Sequence, residues 1–412
     1  MNIVVQKFGG TSVRNLECQK QVLEKVRREL VQGNKVLVVL SAMSGETNRL
    51  IDMAKQWAPR PDAAELDALV STGEQVSVSL FAMLLKAEGV RARSLLGFQA
   101  PITTDCAFGR ARILDIDAKK LTRMLDEYDV LVVAGFQGCD CGQRITTLGR
   151  GGSDTSAVAL AAALQADVCE IYTDVPGVFT TDPNICSKAR KMDRIAYDEM
   201  LEMASMGAKV LQIRSVEFAK KYNVDVHVRS TFSDEPGTLV TQEDARMEAL
   251  PVSGIAYDKD QARVTLVHVP DNPGIAAAIF GPLADAKILV DMIVQNVSKD
   301  GLTDMTFTVP RNDMERTLET MQNLHGDIGY EEIITNPDVA KVSVIGVGMR
   351  ARTGVASKAF RALSAENINI MMVSTSEIKV TCLIEEKYTE LAVRTLHKAF
   401  GLDKETPAGK DA

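Results

Sequence analysis

From the first residue to about residue 230, apolar runs of strand length alternate with patterns of helical period. Residues 3–8, 35–40 and 130–136 are nearly continuous apolar runs, which is typical of strands buried on both faces. Residues 16–30 show apolar side chains near helical spacing, and residues 153–164 are rich in alanine. The same reasoning predicts strands over residues 94–98, 169–174 and 224–229, a hairpin over 138–147, and helices over 48–57, 71–88 and 118–128. This alternation predicts a mainly parallel sheet covered by helices on both faces.

A polar stretch over residues 233–250 interrupts this alternation of strand and helix patterns and is interpreted as a linker. Beyond it, residues 262–289 and 340–369 are two copies of one pattern. In each copy a strand leads through a glycine turn, at Gly274 or Gly354, into a helix, two strands and a further helix. We therefore predict a βαββαβ unit used twice. The predicted boundaries are 1–232 for the first domain, 233–250 for the linker, 251–337 and 338–403 for the repeats, and 404–412 for a disordered tail.

Composition and charge exclude several classes of protein. Of the 412 residues, 46% are hydrophobic and 25% are charged, which is ordinary for a soluble globular protein. A net charge of −8 argues against nucleic acid as a partner, since that needs a concentrated basic face. We also expect no membrane partner, because no apolar run in the sequence approaches the roughly 20 residues of a spanning helix.

The seven cysteines are scattered, and only Cys139 and Cys141 lie close together, with no histidine nearby. Structural zinc usually needs four well-spaced ligands, so we predict no metal site in the protein. Free thiols are typical of a reducing compartment, which favours the cytoplasm.

Two glycine-containing segments carry the strongest chemical signal. They read VVQKFGGTS over residues 4–12 and GRGGSDTS over residues 149–156, each just before a helical pattern. Glycine lets the backbone approach an anion, and a helix N-terminus offers N–H groups and positive dipole, so both segments suit a polyphosphate. Neither is a P-loop. Lys7 is interpreted as a cation for the transferred phosphate, although it could be a solvated lysine at a strand end.

Further polar segments follow predicted strands or begin predicted helices. They are SAMSGETN over residues 41–48, STGEQ over 71–75 and YTDVPGVFTTDP over 172–183. Open α/β sheets bind ligands at such strand ends. Thr47 could be only a helix N-cap, and Glu74 could serve the helix dipole or hold a substrate ammonium group. Arg150 offers a bidentate fork for a carboxylate.

Asp154 could cap a helix, and it could also orient Lys7 and Lys209. None of the four histidines falls in the glycine-rich segments. A carboxylate nucleophile would need no such base, because it is already ionised at pH 7. The series Gly346-x-Gly348-x-x-Ala351 imitates a dinucleotide fingerprint, but it lies inside the second repeat and lacks a suitable acidic residue after it, so we do not expect NAD binding.

Together these segments resemble the aspartate kinases of the amino acid kinase family, over essentially the whole chain. KFGGTS, SAMSGETN, STGEQ, GRGGSDTSA and YTDVPGVFTTDP stand in the order of that family, and the repeated half is similar to tandem ACT domains, which sense amino acids. The resemblance implies an α/β fold: a three-layer αβα amino acid kinase sandwich with a mainly parallel sheet, followed by two ferredoxin-like ACT domains. It also implies ATP-dependent phosphorylation of the β-carboxylate of L-aspartate to 4-phospho-L-aspartate, the first committed step towards lysine, threonine and methionine.

The resemblance further implies roles for individual residues. Lys7, Asp154 and Lys209 would be catalytic. Aspartate would be bound by Ser41, Thr47, Glu74, Phe136, Arg150 and Ser153, with Glu74 on the ammonium group and Arg150 on the α-carboxylate. ATP would be bound by Lys7, Phe8, Gly9, Gly10, Thr173, Asp174, Phe179, Thr180, Thr181, Asp182, Pro183 and Lys209. Mg²⁺ would be held mainly by the nucleotide phosphates.

The ACT pair implies feedback control by lysine, threonine or both. The matching effector positions are Asp271, Asn272, Pro273, Gly274, Ile275, Ala276, Leu289, Val290, Asp291 and Gln295 in the first copy, and Val355, Ala356, Asn369, Ile370, Ser376 and Glu377 in the second. Pairing of ACT domains between chains implies a homo-oligomer. An internal start at Met247 would instead give separate catalytic and regulatory subunits.

Two alternatives stay open. Another kinase of the same fold could act on glutamate, N-acetylglutamate, carbamate or a nucleotide, although such enzymes generally lack the paired ACT repeat. A non-catalytic amino acid sensor would fit residues 251–402 but would leave Lys7 and the segment at 149–154 unexplained. A fused homoserine dehydrogenase is disfavoured, because the chain has no room for that domain.

Overall fold

The computed structural model describes residues 2–207, 210–296 and 301–404, without the side chain of Arg246. The predicted role of Lys209 lies outside the described residues, as do residues 405–412 of the predicted tail over 404–412. The chain forms two compact units. The first comprises residues 1–179, 191–205 and 209–247, and the second comprises residues 180–190, 206–208 and 248–412.

The first unit is built on an eight-stranded, mainly parallel sheet with the order β10-β12-β11-β9-β1-β2-β6-β3. Its strands are β1 (Ile3–Phe8), β2 (Lys35–Leu40), β3 (Ala92–Leu95), β6 (Val130–Ala134), β9 (Val168–Thr173), β10 (Arg194–Ala196), β11 (Val226–Ser230) and β12 (Thr238–Thr241). Only the β11–β12 pair is antiparallel. The predicted parallel sheet is therefore confirmed.

Helices cover both faces of this sheet. They are α1 (Leu16–Val31), α2 (Glu46–Trp57), α3 (Ala63–Val70), α4 (Thr72–Ala87), α5 (Ala118–Glu127), α6 (Gly152–Leu164), α7 (Tyr197–Ser205) and α8 (Ile213–Tyr222). Helices α1 and α4 bury Val22, Val26, Val78 and Phe81 in the core on one face. Helix α6 contacts β1, β2 and β9 and is buried almost all round, which explains its alanine-rich, non-amphipathic sequence.

A small second sheet lies beside this core, with the order β5-β4-β7-β8. Its strands are β4 (Ile102–Thr104), β5 (Ile113–Ile116), β7 (Gln137–Cys139) and β8 (Ile145–Thr147). The antiparallel pair of β7 and β8 is the hairpin that the sequence predicts over 138–147. All seven cysteines of the chain are free thiols.

The interpretation of residues 233–250 as a linker needs correction. Residues Thr238–Thr241 form β12, which pairs with both β10 and β11 inside the main sheet. The first domain therefore extends beyond residue 232. A short helix, α9 (Ala245–Glu248), follows.

One helical stretch of the described residues has to be distinguished from a membrane-spanning helix. Helices α3 and α4 follow one another over Ala63–Ala87, and by length and composition alone this stretch could span a membrane. Half of its most apolar window is buried within the protein. Asp67 and Glu74 on these helices are also buried among the domain's own groups. A core helix passes the same length test, and two buried carboxylates favour that interpretation.

The second unit contains the two repeats on one six-stranded sheet with the order β14-β15-β13-β16-β18-β17. Its strands are β13 (Gly254–Pro270), β14 (Ile293–Gln295), β15 (Leu302–Val309), β16 (Glu332–Ile345), β17 (Met372–Thr375) and β18 (Lys379–Glu385). Its helices are α10 (Ile275–Asp285), α11 (Met314–Asn323), α12 (His325–Ile328), α13 (Val355–Ala365) and α14 (Thr389–Ala399).

The two long strands are shared between the repeats. Strand β13 pairs with β16 along most of its length, from Gly254 to Val267, and its second half, from Ala262 to Pro270, also pairs with β15. Each repeat has its own apolar core, around Phe307 in the first and around Leu363 in the second. Gly274 and Gly354 have φ values of 98° and 91° directly before α10 and α13, so the aligned glycine turns have the same conformation.

Candidate active site

The polar segments of the first unit meet because four neighbouring strands end at one edge of the sheet. The ladder pairs Phe8 with both Leu40 and Tyr172, and Leu40 with Ala134. The residues that follow β1, β2, β6 and β9 therefore lie side by side. Parallel sheets bind ligands at this carboxyl edge.

A cavity of about 230 Å³ opens between these strand ends. It is lined by Lys7, Ser41, Ala42, Thr47, Glu74, Phe136, Gly149, Arg150, Gly151, Gly152, Ser153 and Asp154. The lining includes every predicted aspartate-binding residue, together with two of the three predicted catalytic residues. Residues more than 140 positions apart in the sequence, such as Lys7 and Asp154, are brought to one site.

Lys7 and Asp154 form the charged pair at the base of this site. The Nζ atom of Lys7 lies 2.6 Å from Oδ1 of Asp154, and the two side chains are 12% and 11% exposed. Asp154 stands in the first turn of α6, whose N-cap is Gly151, so it does not cap the helix. Its carboxylate instead directs the lysine ammonium, which is one of the two roles that the sequence suggests.

Glycines let the backbone close around this pair. A Cβ atom at Gly10 would lie 2.7 Å from the carbonyl oxygen of Ala42. Gly151 has a φ of 70°, and a Cβ there would overlap the side chain of Gln212. Larger residues would therefore push apart the loops that surround the cavity.

Glu74 is a buried carboxyl group with one unused oxygen. It lies in the first turn of α4 and is 3% exposed. Its Oε1 accepts a hydrogen bond of 2.9 Å from the backbone N–H of Ala42, while Oε2 has no hydrogen-bond partner. Burial raises the pKa of Glu74 to about 7. A substrate ammonium group would supply both the missing partner and the missing charge.

We expect aspartate binding to weaken below pH 7, because the free protein then holds Glu74 protonated. The value of kcat/KM for aspartate should fall towards tenfold per pH unit below that point, while Glu74→Gln should show a lower and flatter profile. The measurement is kcat/KM for aspartate from pH 5.5 to 8.5. A wild-type profile that stays flat between pH 8 and 6 would contradict this role.

The raised pKa of Glu74 affects stability in the opposite direction to aspartate binding: it favours the folded state at low pH. The folded-state pKa lies above the ordinary value of about 4.3, so between the two the folded chain binds more protons than the unfolded chain. Glu74 therefore contributes to the free energy of unfolding at low pH, and this contribution is lost as the pH rises through about 7.

Arg150 is exposed and lines the cavity, and it joins none of the ion pairs found among the described residues. It stands between Gly149 and Gly151, both with positive φ. Phe136, which also lines the cavity, has a φ of 68°. Its carbonyl oxygen accepts a hydrogen bond of 2.8 Å from the N–H of Leu148. The arginine thus projects from a fixed turn with its guanidinium group available.

The remaining residues predicted to bind aspartate also line the cavity. Ser41 follows β2, and its N–H donates to the carbonyl oxygen of Phe8 over 3.2 Å. Thr47 is the second residue of α2, whose N-cap is Gly45, so Thr47 is not the cap. Ser153 stands in the first turn of α6. The cap interpretation of Thr47 is therefore wrong, and its hydroxyl belongs to the cavity wall.

The predicted nucleotide-binding residues fall into two groups. Thr173 and Asp174 lie at the end of β9, beside Gly9, whose N–H donates to the carbonyl oxygen of Tyr172. Phe8 is fully buried and its ring stacks on Tyr172 at 4.6 Å, so only its backbone can reach a ligand. Phe179 is the last residue of the first segment, residues 1–179, of the first unit.

Thr180, Thr181, Asp182 and Pro183 belong to the second unit. There Thr180 Oγ1 lies 2.9 Å from Nε2 of His397, and the hydroxyl of Tyr257 donates to Asp182 over 2.9 Å. These two side chains therefore already have partners within the second unit. A role of this group in nucleotide binding stays a prediction.

The predicted effector positions lie on the turns and strands of the two repeats. Gln295 donates to Asp271 over 3.4 Å, and Asp291 is paired with the buried Lys341. In the second repeat Arg350 lies 3.6 Å from Glu377. A larger crevice of about 690 Å³ lies elsewhere in this unit, lined by charged residues such as Glu386. That crevice contains none of the predicted effector residues.

Two glycines and two histidines outside the cavity are explained by the packing around them. A Cβ at Gly346 or Gly348 would collide with the backbone of residues 250–251, so these glycines make room for that segment. Burial lowers the pKa of His227 and of His397. The described residues contain no group of three His, Cys, Asp or Glu that could hold a metal ion.

Sequence reasoning missed two residues that hold the site together. Asp67 accepts hydrogen bonds from Thr147 and Gly109, and Arg214 donates to the carbonyl oxygens of Leu148 and Ala111. Each is one of two or more charged residues on its helix, Asp67 on α3 and Arg214 on α8, so the sequence does not single it out. Neither lies in a glycine-rich motif.

Comparison with known proteins covers the whole chain. The amino acid kinase family matches residues 2–230, and the ACT domain matches residues 263–326 and 342–400. An aspartate kinase of Stutzerimonas stutzeri is 56% identical over 413 residues, covering 100% of both chains. An aspartokinase of Pseudomonas aeruginosa is 55% identical, again over 100% of both.

Solved structures agree with this comparison. Aspartokinase III of E. coli in complex with aspartate and ADP, in the R-state, matches with a TM-score of 0.80 and 28% identity over 97% of this chain and 99% of that one. The same enzyme in complex with lysine and aspartate, in the T-state, matches with a TM-score of 0.76 and 29% identity over the same shares.

Proposed function

The chain belongs to the amino acid kinase family, as an aspartate kinase with two ACT domains, and we propose how its residues perform and control that reaction. The observation that carries the proposal is the cavity at the carboxyl edge of the sheet. It combines a lysine–aspartate pair, a buried glutamate with an unused oxygen and an available arginine.

L-Aspartate is proposed to bind through the two charged groups on its α-carbon, each to a different side chain. Glu74 accepts the α-ammonium group and thereby gains the partner that its Oε2 atom lacks. Arg150 receives the α-carboxylate through two parallel N–H donors. Ser41, Thr47, Phe136 and Ser153 form the walls, which leaves the β-carboxylate facing Lys7.

The transferred phosphate is proposed to lie against Lys7 and the backbone of Gly9 and Gly10. A β-carboxylate oxygen forms a bond to the γ-phosphorus of ATP while the bond to the β,γ-bridging oxygen breaks, and ADP leaves. The nucleophile is ionised at pH 7, so no base is needed. Catalysis of this kind depends on in-line placement and charge neutralisation, and Asp154 keeps the Lys7 ammonium aimed at the transferred group.

The nucleotide is proposed to extend from Lys7 past Thr173 and Asp174, which lie at the end of the neighbouring strand β9 of the first unit. Mg²⁺ would be held mainly by the nucleotide phosphates and would neutralise their charge. Because the described residues offer no cluster of three suitable ligands, the phosphates would supply most of its coordination. Lys209 is proposed as the second lysine that faces the phosphates.

Regulation by amino acids is proposed to act through the second unit. Lysine and threonine would bind at the turns and strands around Asp271 and Asp291 in the first repeat and Asn369 and Ser376 in the second. The E. coli relative binds lysine, which supports lysine as one effector. The product would supply the synthesis of lysine, threonine and methionine in the cytoplasm. The protein would act as a homo-oligomer, or as catalytic and regulatory subunits if Met247 serves as an internal start.

We expect lysine plus threonine to lower turnover at fixed aspartate, with an effect of about 5- to 150-fold, the usual range of allosteric coupling. Asp271→Ala should weaken this inhibition about tenfold because it removes a charged-group hydrogen bond to the effector. Asp285→Ala, at an exposed residue that ends α10, is the control and should leave inhibition unchanged. Turnover is titrated with each amino acid alone and with both, and identical kinetics throughout would contradict regulation by this pair.

A further inference from the structure

Asp67 is a buried carboxylate with no cationic partner among the described residues. It stands in α3 and is 2% exposed. Its Oδ2 accepts the backbone N–H groups of Thr147 and Gly109 over 2.7 and 2.9 Å, and its Oδ1 accepts the Thr147 hydroxyl over 2.7 Å. Burying an unpaired carboxylate is costly, and these three donors are what compensates it. The aspartate therefore fixes residue 147 very firmly.

Thr147, the residue held by Asp67, is the last residue of β8 and lies three positions before Arg150. The carbonyl oxygen of Thr147 receives the N–H of Ala111 over 2.8 Å. Leu148 is held by Arg214 on its carbonyl oxygen and by Phe136 on its N–H. The chain is thus fixed from every side up to residue 148.

Beyond this anchor Arg150 stands in a tight turn that leads directly into α6. Gly149 and Gly151, which flank it, have φ values of 78° and 70°, a conformation that glycine adopts without strain. The N–H of Gly152 donates to the carbonyl oxygen of Gly149 over 2.9 Å, and Gly151 is the N-cap of α6. The position of the Arg150 side chain therefore depends on where the two ends of this turn are held, at residues 147 and 148 on one side and at α6 on the other.

Asp67 and Glu74 lie on two helices that directly follow one another. Helix α3 ends at Val70 and α4 begins at Thr72, so Asp67 and Glu74 lie seven residues apart on consecutive helices. The carbonyl oxygen of Ser71 between them receives the side-chain amide of Gln137 over 3.0 Å. One helical segment thus determines the position of both proposed receptors of aspartate.

We propose that Asp67 is a positioning residue, which sets Arg150 at the correct distance from Glu74 so that the α-carboxylate and α-ammonium groups of one amino acid bind together. This inference rests on the proposed roles of Arg150 and Glu74. A substrate that lacks either group would gain nothing from the spacing.

The test compares kcat/KM for aspartate in four forms of the full-length protein: wild type, Asp67→Ala, Arg150→Ala and the double variant. Misplacing a binding group by about 1 Å can cost around 100-fold, so we expect Asp67→Ala to lose about 10- to 100-fold in kcat/KM for aspartate. The KM for ATP should stay within about twofold of wild type. In the Arg150→Ala background the same change should cost less than about threefold, because the group it positions is already gone.

Asp67→Asn should restore most of the activity. Its amide oxygen can accept the two backbone N–H groups while its nitrogen donates to the Thr147 hydroxyl. Asp62→Ala is the matched control. It removes the N-cap of the same helix, which lowers the stability of that helix, but it should leave kcat/KM for aspartate unchanged. If Asp67→Ala does not fold, Thr147→Val removes only the hydroxyl donor, and it should lose about 3- to 10-fold in kcat/KM for aspartate, again only where Arg150 is present.

Equal losses from Asp67→Ala in both backgrounds would overturn the inference, since they would indicate general damage. So would an unchanged kcat/KM in Asp67→Ala, or an equal rise in KM for ATP. If Arg150→Ala itself leaves kcat/KM for aspartate unchanged, the proposed role of Arg150 fails as well. The single variant of Arg150 therefore separates failure of the proposed function from failure of this inference.

Discussion

Lys7→Ala is expected to lower kcat about 10²- to 10³-fold, the loss typical for one well-placed group that stabilises developing charge. Lys7 is the only predicted phosphate-binding cation within the described residues of the cavity, and its ammonium group is fixed by Asp154 at 2.6 Å. Because the charge of the transferred group changes between ground and transition state, the loss should appear in kcat more than in the KM for ATP. Steady-state kinetics with coupled detection of ADP measures both.

The control for this variant is Lys35→Ala. Lys35 is the first residue of the neighbouring strand β2 and forms an ion pair with Asp129. When Lys35 is replaced, Asp129 still has Arg91 as a cationic partner. It lies at the opposite end of the sheet from the cavity. The control should keep wild-type kcat, whereas near-wild-type turnover in Lys7→Ala would remove Lys7 from the mechanism.

Loss of fold must be separated from loss of chemistry. Lys7→Ala leaves Asp154 largely buried without its cation, which is destabilising. The double variant Lys7→Ala with Asp154→Asn removes that charge. We expect it to recover thermal stability relative to Lys7→Ala while kcat stays low.

Arg150→Ala is expected to lower kcat/KM for aspartate about 10- to 150-fold, which corresponds to about 1.5–3 kcal/mol for hydrogen bonds to a charged group. The effect should fall mainly on the KM for aspartate, because the α-carboxylate does not change during the reaction. Arg150→Lys should recover only part of the loss, since lysine cannot form the two parallel hydrogen bonds.

Arg144→Ala is the matched control. Arg144 lies in the turn between β7 and β8, is half-exposed and pairs with Glu65. It lines no part of the cavity. An unchanged KM for aspartate in Arg150→Ala, or an equal rise in Arg144→Ala, would contradict the proposed role of Arg150.

Much of the first domain can be predicted from the sequence because its central strands are apolar on both faces. Strands β1 and β2 have the predicted bounds. The strand Thr238–Thr241 was missed because four residues in a polar stretch show no period, and its place in the sheet depends on pairing with β10 and β11. Helix α3 has eight residues, too few to display a reliable helical pattern.

The cavity was predicted more completely than the elements around it. Glycines and charges in short segments mark Lys7, Glu74 and Arg150 locally. Asp67 carries no such mark, because its partners lie 42 and 80 residues away in the sequence. Side chains that position other side chains depend on the tertiary fold, and their function becomes visible only in the structure.

The most direct test of the proposed mechanism is a crystal structure of the protein with ADP and L-aspartate. We expect the aspartate α-carboxylate on the Arg150 guanidinium, its ammonium group on Glu74, and the β-carboxylate and the terminal phosphate of ADP on either side of the Lys7 ammonium. A structure in which both ligands are ordered away from Lys7 and Arg150 would contradict it.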